Sequence, residues 1–379
     1  MPDPRYRELA RLLVSHSTRL EKGDNVLIEA THVPPEMLTA LVEEATERGA
    51  VSIVELKDHT IQRALLRAGT AEQVRQRMQL MGQLELNRMQ KMQAFIGLRG
   101  AHNITEMSDV PSEHMGIYEK EWMKPVHLEQ RVKHTRWVVL RWPNASMAQL
   151  AGMSSQAFED FYFKVCLADY EAMEKAVKPL QELMAKTDKV RIVGPDTDLR
   201  FSIKGVGVVP CTGTHNVPDG ECFTAPVRDS VEGHIHFNSG TIYRGTAFDD
   251  IRLTFEKGRV VKSSCSNDAA LEAVLNSDEG ARYFGEFAVA FNPFIEKPMR
   301  DILFDEKIRG SLHLALGECY EETQNHNRSN VHWDLVLRQE EGGELWFDDV
   351  LVRKDGRFVV DALTGLNPEN LAGRKPALV

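Results

Sequence analysis

The sequence predicts two domains: an α/β amino-terminal domain with a mostly parallel sheet, then an α+β carboxy-terminal domain with a largely antiparallel sheet. Three observations carry that expectation. The chain has 379 residues, enough for two cores of ordinary domain size. Helical periodicity alternates with short apolar runs through the first half, the pattern of crossover units on a parallel sheet. Beyond residue 187, strand-like segments follow one another through glycine, proline and aspartate turns, the pattern of hairpins.

In chain order, "PRYRELARLLVSHSTRL" has apolar residues at helical spacing and "NVLIEA" is a short strand. "PPEMLTALVEEATERGA" is a helix closed by Gly49, and "VSIVELKD" is a second strand. A helical stretch over about 60–93 precedes the strand "AFIGLRG", and a mixed region over 101–134 precedes the strand "RWVVLRW". No GxGxxG motif or phosphate loop follows any of these strands, so a nucleotide site has nothing to stand on. A helical segment over 146–187 closes the first domain, residues 1–187. In the second domain, residues 188–379, "GHIHFNSGTIYRG", "IRLTFEKGRVVKSS", "GSLHLALG", "VHWDLVLR" and "LWFDDVLVRKDGRFV" read as strands. Turn signals at Lys257-Gly258 and Asp355-Gly356 join some of them. One helix, "DAALEAVLNSDEGARYFGEFAVA" over 268–290, interrupts them.

A net charge of -10 argues against a broad nucleic-acid surface. No signal-peptide pattern opens the sequence, and no apolar run approaches the roughly 20 residues of a membrane span. A cytoplasmic protein is the expectation. The five cysteines, Cys166, Cys211, Cys222, Cys265 and Cys319, form no CxxC pair, so neither a disulfide framework nor a thiolate zinc site is indicated.

Polar residues on core-like strands carry the chemistry. In "VHWDLVLR", His332 and Asp334 are two apart and share one strand face, while Val331, Trp333 and Leu335 take the other. That pair is a natural two-ligand edge of a metal site. His313 sits in "GSLHLALG", with Tyr320 just past the Gly317 turn. Glu286 is flanked by Phe284, Phe287 and Val289, and Glu221 lies in "NVPDGECFTAP". An unpaired carboxylate among buried aromatics would cost several kcal/mol, and a cation would remove that cost.

These segments resemble a known family. "HNVPDGECFTAP", "IRLTFEKGRVV", "GARYFGEFAVAFN", "DEKIRGSLHLALGECY" and "NRSNVHWDLV", in this order, resemble the M29 metalloaminopeptidases of the aminopeptidase T group. "LEKGDNVLIEA" and "LVEEATERGA" look like that family's amino-terminal domain. The resemblance implies a cytosolic, commonly dimeric exopeptidase with a two-metal centre, acting on short peptides with many different amino-terminal residues. It places the metal ligands on Glu221, Glu286, His313, Tyr320, His332 and Asp334. The chain departs from the family pattern at Cys222 and at the His234-x-His236 pair.

Oxygen and imidazole ligands suit two divalent ions, Zn, Co or Mn. A carboxylate, Glu286 or Asp334, is the expected bridge. Tyr320 reads equally as a ligand or as a donor to an oxyanion, and Glu221 as a ligand or a general base. His234 and His236 read as a polar strand face, and His102, Glu106 and His114 as loop residues. Met78, Met81, Met89 and Met92 read as core or oligomer contact. The alternatives are a two-metal phosphoesterase and a metal-binding protein without peptidase activity.

Overall fold

In the computed structural model, which describes residues 3–103 and 105–372, the four apolar runs of the first half become strands β1 (Asn25–Thr31), β2 (Val51–Lys57), β3 (Ala94–Arg99) and β4 (Arg136–Arg141). All pair in parallel, in the order β2-β1-β3-β4. The central strands β1 and β3 are buried almost throughout, as a parallel sheet covered on both faces requires. The edge strand β2 instead exposes Val51, Ile53, Val54 and Leu56.

The helical stretch expected over 60–93 is two helices, His59–Arg67 and Ala71–Met89. Gly69 turns the chain at φ +93°, and Thr70 opens the second helix with a capping box to Gln73. Met89 and Met92 pack with Leu27, Phe95 and Trp122, and Met78 packs with Leu66 and Ile117. These methionines are core. The segment over 146–187 is likewise four helices, Ala145–Leu150, Ser155–Cys166, Tyr170–Ala176 and Lys178–Lys186; the side chains of Asn144, Ser154 and Asp169 cap the first three.

The chain divides into two compact units, one of residues up to Leu167 with Gly213–Val217, the other of Ala168–Thr212 with Pro218 onward. This division does not fall at residue 187. The helix Lys178–Lys186 belongs to the second unit, where the Gln181 amide donates to the Val208 carbonyl.

Within the second unit, an eight-stranded antiparallel sheet runs from Arg259–Ser264 at one edge to Arg357–Phe358 at the other. Lys257-Gly258 and Asp355-Gly356 all have positive φ, the backbone of type I′ hairpin turns. A five-stranded sheet carries the polar residues of interest. Its strands are β5 (Val209–Cys211), β7 (Glu221–Thr224), β8 (Phe284–Ala290), β9 (Ser311–Gly317) and β10 (His332–Arg338), in the order β10-β9-β8-β7-β5. The intervening β6 (Asn216–Val217) instead pairs with β4 in the first unit.

The helix expected over 268–290 ends at Leu275, and Glu286 stands on β8. Hydrophobic content alone did not separate the two forms. The alternation of Phe287 and Val289 with Ala288 and Ala290 fits a strand buried between neighbours, and every residue of β8 is buried.

Two glycines fix the local path. At Gly285 a side chain would collide with the Gly317 and Glu318 carbonyls, and at Gly317, with φ +102°, with the Val331 carbonyl. Gly317→Ala should therefore destabilise the protein by about 2 kcal/mol or more, read as a lower urea midpoint. An unchanged midpoint would mean that the chain relaxes freely there.

Candidate metal centre

Strand pairing builds the site row by row. Ala315 on β9 lies opposite Glu286 on β8 and opposite Asp334 on β10. One row along, His313 lies between Ala288 and Val336; one row the other way, Gly317 lies opposite His332. Glu221 on β7 pairs with Ala290. Because side chains alternate, these residues share one face, and Ala288, Ala290, Ala315 and Gly317 leave room between the functional groups.

A β-bulge between Phe284 and Glu286 sets the aim of Glu286. Phe284 lies opposite Leu316 and Glu286 opposite Ala315, so the extra residue turns Glu286 to the site face while Phe284 stays against Phe255. On β10, Trp333 points away and stacks on Tyr243.

Both imidazoles are oriented by backbone carbonyls. Nδ1 of His332 lies 2.9 Å from the Glu318 oxygen and Nδ1 of His313 lies 3.2 Å from the Glu306 oxygen. Each Nε2 then faces the carboxylates. Glu286 places one oxygen 3.5 Å from His313 Nε2 and the other 3.3 Å from His332 Nε2. The Tyr320 hydroxyl is 3.3 Å from His332 Nε2. Its loop is fastened by buried amides: Asn325 donates to the Pro226 and Phe284 carbonyls, and Asn327 to those of Gly280 and Gly317.

The donor set fits divalent ions on its own geometry. Glu221 with Glu286 and His313, and Glu286 with His332 and Asp334, each bring ligand atoms within 4.8 Å of one another. Glu221 Oε2 and Asp334 Oδ1 are buried without a hydrogen-bond partner, a cost that a cation removes.

Electrostatics tell the same story. Burial alone would lower His313, but the hydrogen bond to Glu286 and the charge of Glu221 outweigh it and raise the imidazole to about 10. His332 is raised in the same way, against burial, by Asp334 and Glu286. Asp334 and Glu286 are held below the usual carboxylate range, the imidazoles outweighing burial. Tyr320 is 45% exposed, yet its hydroxyl end is desolvated and faces Glu286 and Asp334, which holds the phenol well above its ordinary value.

The structure thus gathers all six residues proposed from the sequence, and it adds others. Lys307, 1% exposed, is paired with Glu221, with Glu306 at 2.8 Å and with Asp219 at 3.7 Å. Glu306 belongs to a further ligand group with His313 and Asp334, and Cys211 to one with Asp219 and Glu221. Burial, with Asp219 and Glu221, holds the Cys211 thiol well above its ordinary value. Two signals were available in the sequence. Asp219 and Glu221 repeat the two-residue spacing of His332 and Asp334, and Glu306-Lys307 is a charged pair just ahead of an apolar strand. The other candidates lie elsewhere. His234 and His236 are on the eight-stranded sheet, where His236 faces Asp250 at 3.2 Å. The His114 Nδ1 is 2.7 Å from the Leu66 carbonyl.

A sheet face of convergent carboxylates and imidazoles defines a metal-binding protein. The family described as thermophilic metalloprotease (M29) matches residues 3–358, and the chain belongs to the M29 family of metallopeptidases, which are hydrolases. It is 26% identical to aminopeptidase T of Thermus thermophilus, over 88% of this chain and 92% of that protein. Against aminopeptidase AmpS of Bacillus subtilis, identity is 24% over 82% and 83%. Among solved structures, wild-type AmpT from Thermus thermophilus superposes with a TM-score of 0.81 at 23% identity, covering 94% of this chain and 99% of that one. A 2,5-dihydroxypyridine dioxygenase from Pseudomonas putida KT2440 shares the fold, with a TM-score of 0.61 at 14% identity over 94% and 98%.

The imidazole shifts predict how the metal-free protein responds to pH. His313 has a folded value of about 10, above the unfolded value of about 6.5. Its contribution is therefore fully present below about pH 6.5 and is lost as pH rises through 10. His332 acts in the same direction. Chelator-treated protein should show a thermal midpoint that falls between pH 7 and pH 10, more steeply than that of a His313→Gln variant. Parallel curves for the two proteins would remove His313 from this role.

Proposed function

We propose that this M29 metallopeptidase is a two-metal aminopeptidase that releases the amino-terminal residue from short peptides with broad specificity. The observation that carries the reading is Glu286. Its two oxygens face different imidazoles, and it belongs to two overlapping ligand groups. Glu286 with His332 and Asp334 would hold one ion, and Glu286 with His313 and Glu221 would hold the other. Two divalent ions, Zn, Co or Mn, would supply activation of water and polarisation of the scissile carbonyl. That the named relatives are aminopeptidases supports the choice of substrate.

The chain's own residues do the rest. Glu318 and Glu306 carbonyls keep the imidazoles turned, so no reorientation is needed when substrate arrives. Tyr320 keeps its proton near pH 7, because its phenol is held above the ordinary range. We assign it as donor to the developing oxyanion, 3.3 Å from His332 on the open side of the site. One oxygen of Glu221 is engaged by Lys307 and the other is free of hydrogen bonds. We therefore assign Glu221 to holding a metal rather than to moving a proton.

We place the protein in the cytoplasm as a homodimer. Among the described residues no helix is long and apolar enough to cross a membrane. The exposed apolar edge strand β2 supports association.

Leu-p-nitroanilide should be cleaved and its N-acetylated form should not, since acetylation removes the free amine and adds bulk where the chain should end. Comparable rates on both would refute the aminopeptidase reading, and turnover of p-nitrophenyl phosphate instead would favour a phosphoesterase. Glu286→Gln and His332→Ala should each lower turnover by at least a hundredfold, with unchanged far-UV circular dichroism. A wild-type rate in either would take that residue out of the site.

A further inference from the structure

Lys307 is the least expected residue in the site, because a metal centre gains nothing electrostatically from a cation beside it. It follows the helix Ile302–Asp305, and its ammonium is enclosed by Glu221, Glu306 and Asp219. Burial of a lone ammonium is costly and is tolerated only with such partners. The contacts are unequal in a way that matters for Glu221. The ammonium engages Oε1, while Oε2 is left buried, without a hydrogen bond, 3.7 Å from His313 Nδ1.

We infer that Lys307 is a positioning residue that clamps Glu221 through Oε1, so that Oε2 is presented as a single-oxygen ligand to the second metal position. The inference rests on the two-metal reading. The clamp works before any ion arrives: it fixes the Glu221 rotamer and leaves one oxygen with no partner but a cation. Glu306 and Asp219 hold the ammonium from its other sides, so it cannot follow Glu221 elsewhere. The charges also balance. Asp219, Glu221, Glu286, Glu306 and Asp334 around one ammonium leave a net charge that two divalent ions neutralise.

Position and charge predict opposite results when the lysine is removed. If Lys307 acted by charge alone, its loss would make the cluster more negative and tighten cation binding. If it positions Glu221, its loss frees the carboxylate and weakens the second ion. The test is calorimetric titration of Co(II) into metal-free protein, with the visible Co(II) spectrum recorded at each step. Wild type should take up two ions. Lys307→Met should bind the first within about threefold of wild type and the second at least tenfold more weakly, with loss of the spectral change that accompanies the second equivalent.

Should Lys307→Met fold poorly, Lys307→Met combined with Asp219→Asn removes one charge of each sign and carries the same expectation. A second ion bound as tightly as in wild type, or more tightly, overturns the inference while leaving the two-metal reading intact. A wild-type stoichiometry of one overturns that reading and this inference with it. If neither variant folds, Lys307 is a folding residue and the positioning role is rejected.

Discussion

The register of β8, β9 and β10 is the constraint on which the site depends. Glu286, Ala315 and Asp334 stand in one row, and a slip of one residue in any strand would send its polar groups into the apolar side of the sheet. That side is filled by Phe284, Phe287, Leu314 and Trp333, all buried. Packing of large apolar residues on one face therefore holds the carboxylates and imidazoles of the other in place. The bulge at Gly285 extends the same logic, since it turns Glu286 without disturbing Phe287 or the residues beyond it.

A face so rich in carboxylate is unstable by itself, and the fold answers with fixed partners. Imidazoles are tied through Nδ1 to backbone carbonyls, an ammonium is enclosed between carboxylates, and buried asparagine amides fasten the loop that carries Tyr320. Each partner leaves a chosen atom facing the site: His313 and His332 Nε2 toward the carboxylates, and Glu221 Oε2 and Asp334 Oδ1 without hydrogen bonds. Unsatisfied buried oxygens beside oriented nitrogens amount to a preformed demand for cations. That demand is what membership of a metallopeptidase family leads one to expect.

Much of the fold was legible because its signals are local. Alternation of helical and strand periodicity gave the parallel sheet, and turn pairs such as Lys257-Gly258 gave hairpins. Where a helix was drawn too long, the cause was a cap read as interior. Thr70 and Ser154 each start a new helix. At 284–290 the competing principle was tertiary: a run of apolar residues with one glutamate suits either form, and burial between β7 and β9 selects the strand.

By itself the sequence determined the class of the two domains and the resemblance to the family, and it singled out six polar residues as candidates. Spacing sufficed for His332 and Asp334, which share a strand face whatever surrounds them. Only the tertiary structure decided which atoms meet. Glu286 and Glu221 are brought together with His313 by strands far apart in the chain, and Lys307 reaches Glu221 across 86 positions. Nothing in a linear sequence carries that distance, because it is set by sheet register and by the packing of the opposite face.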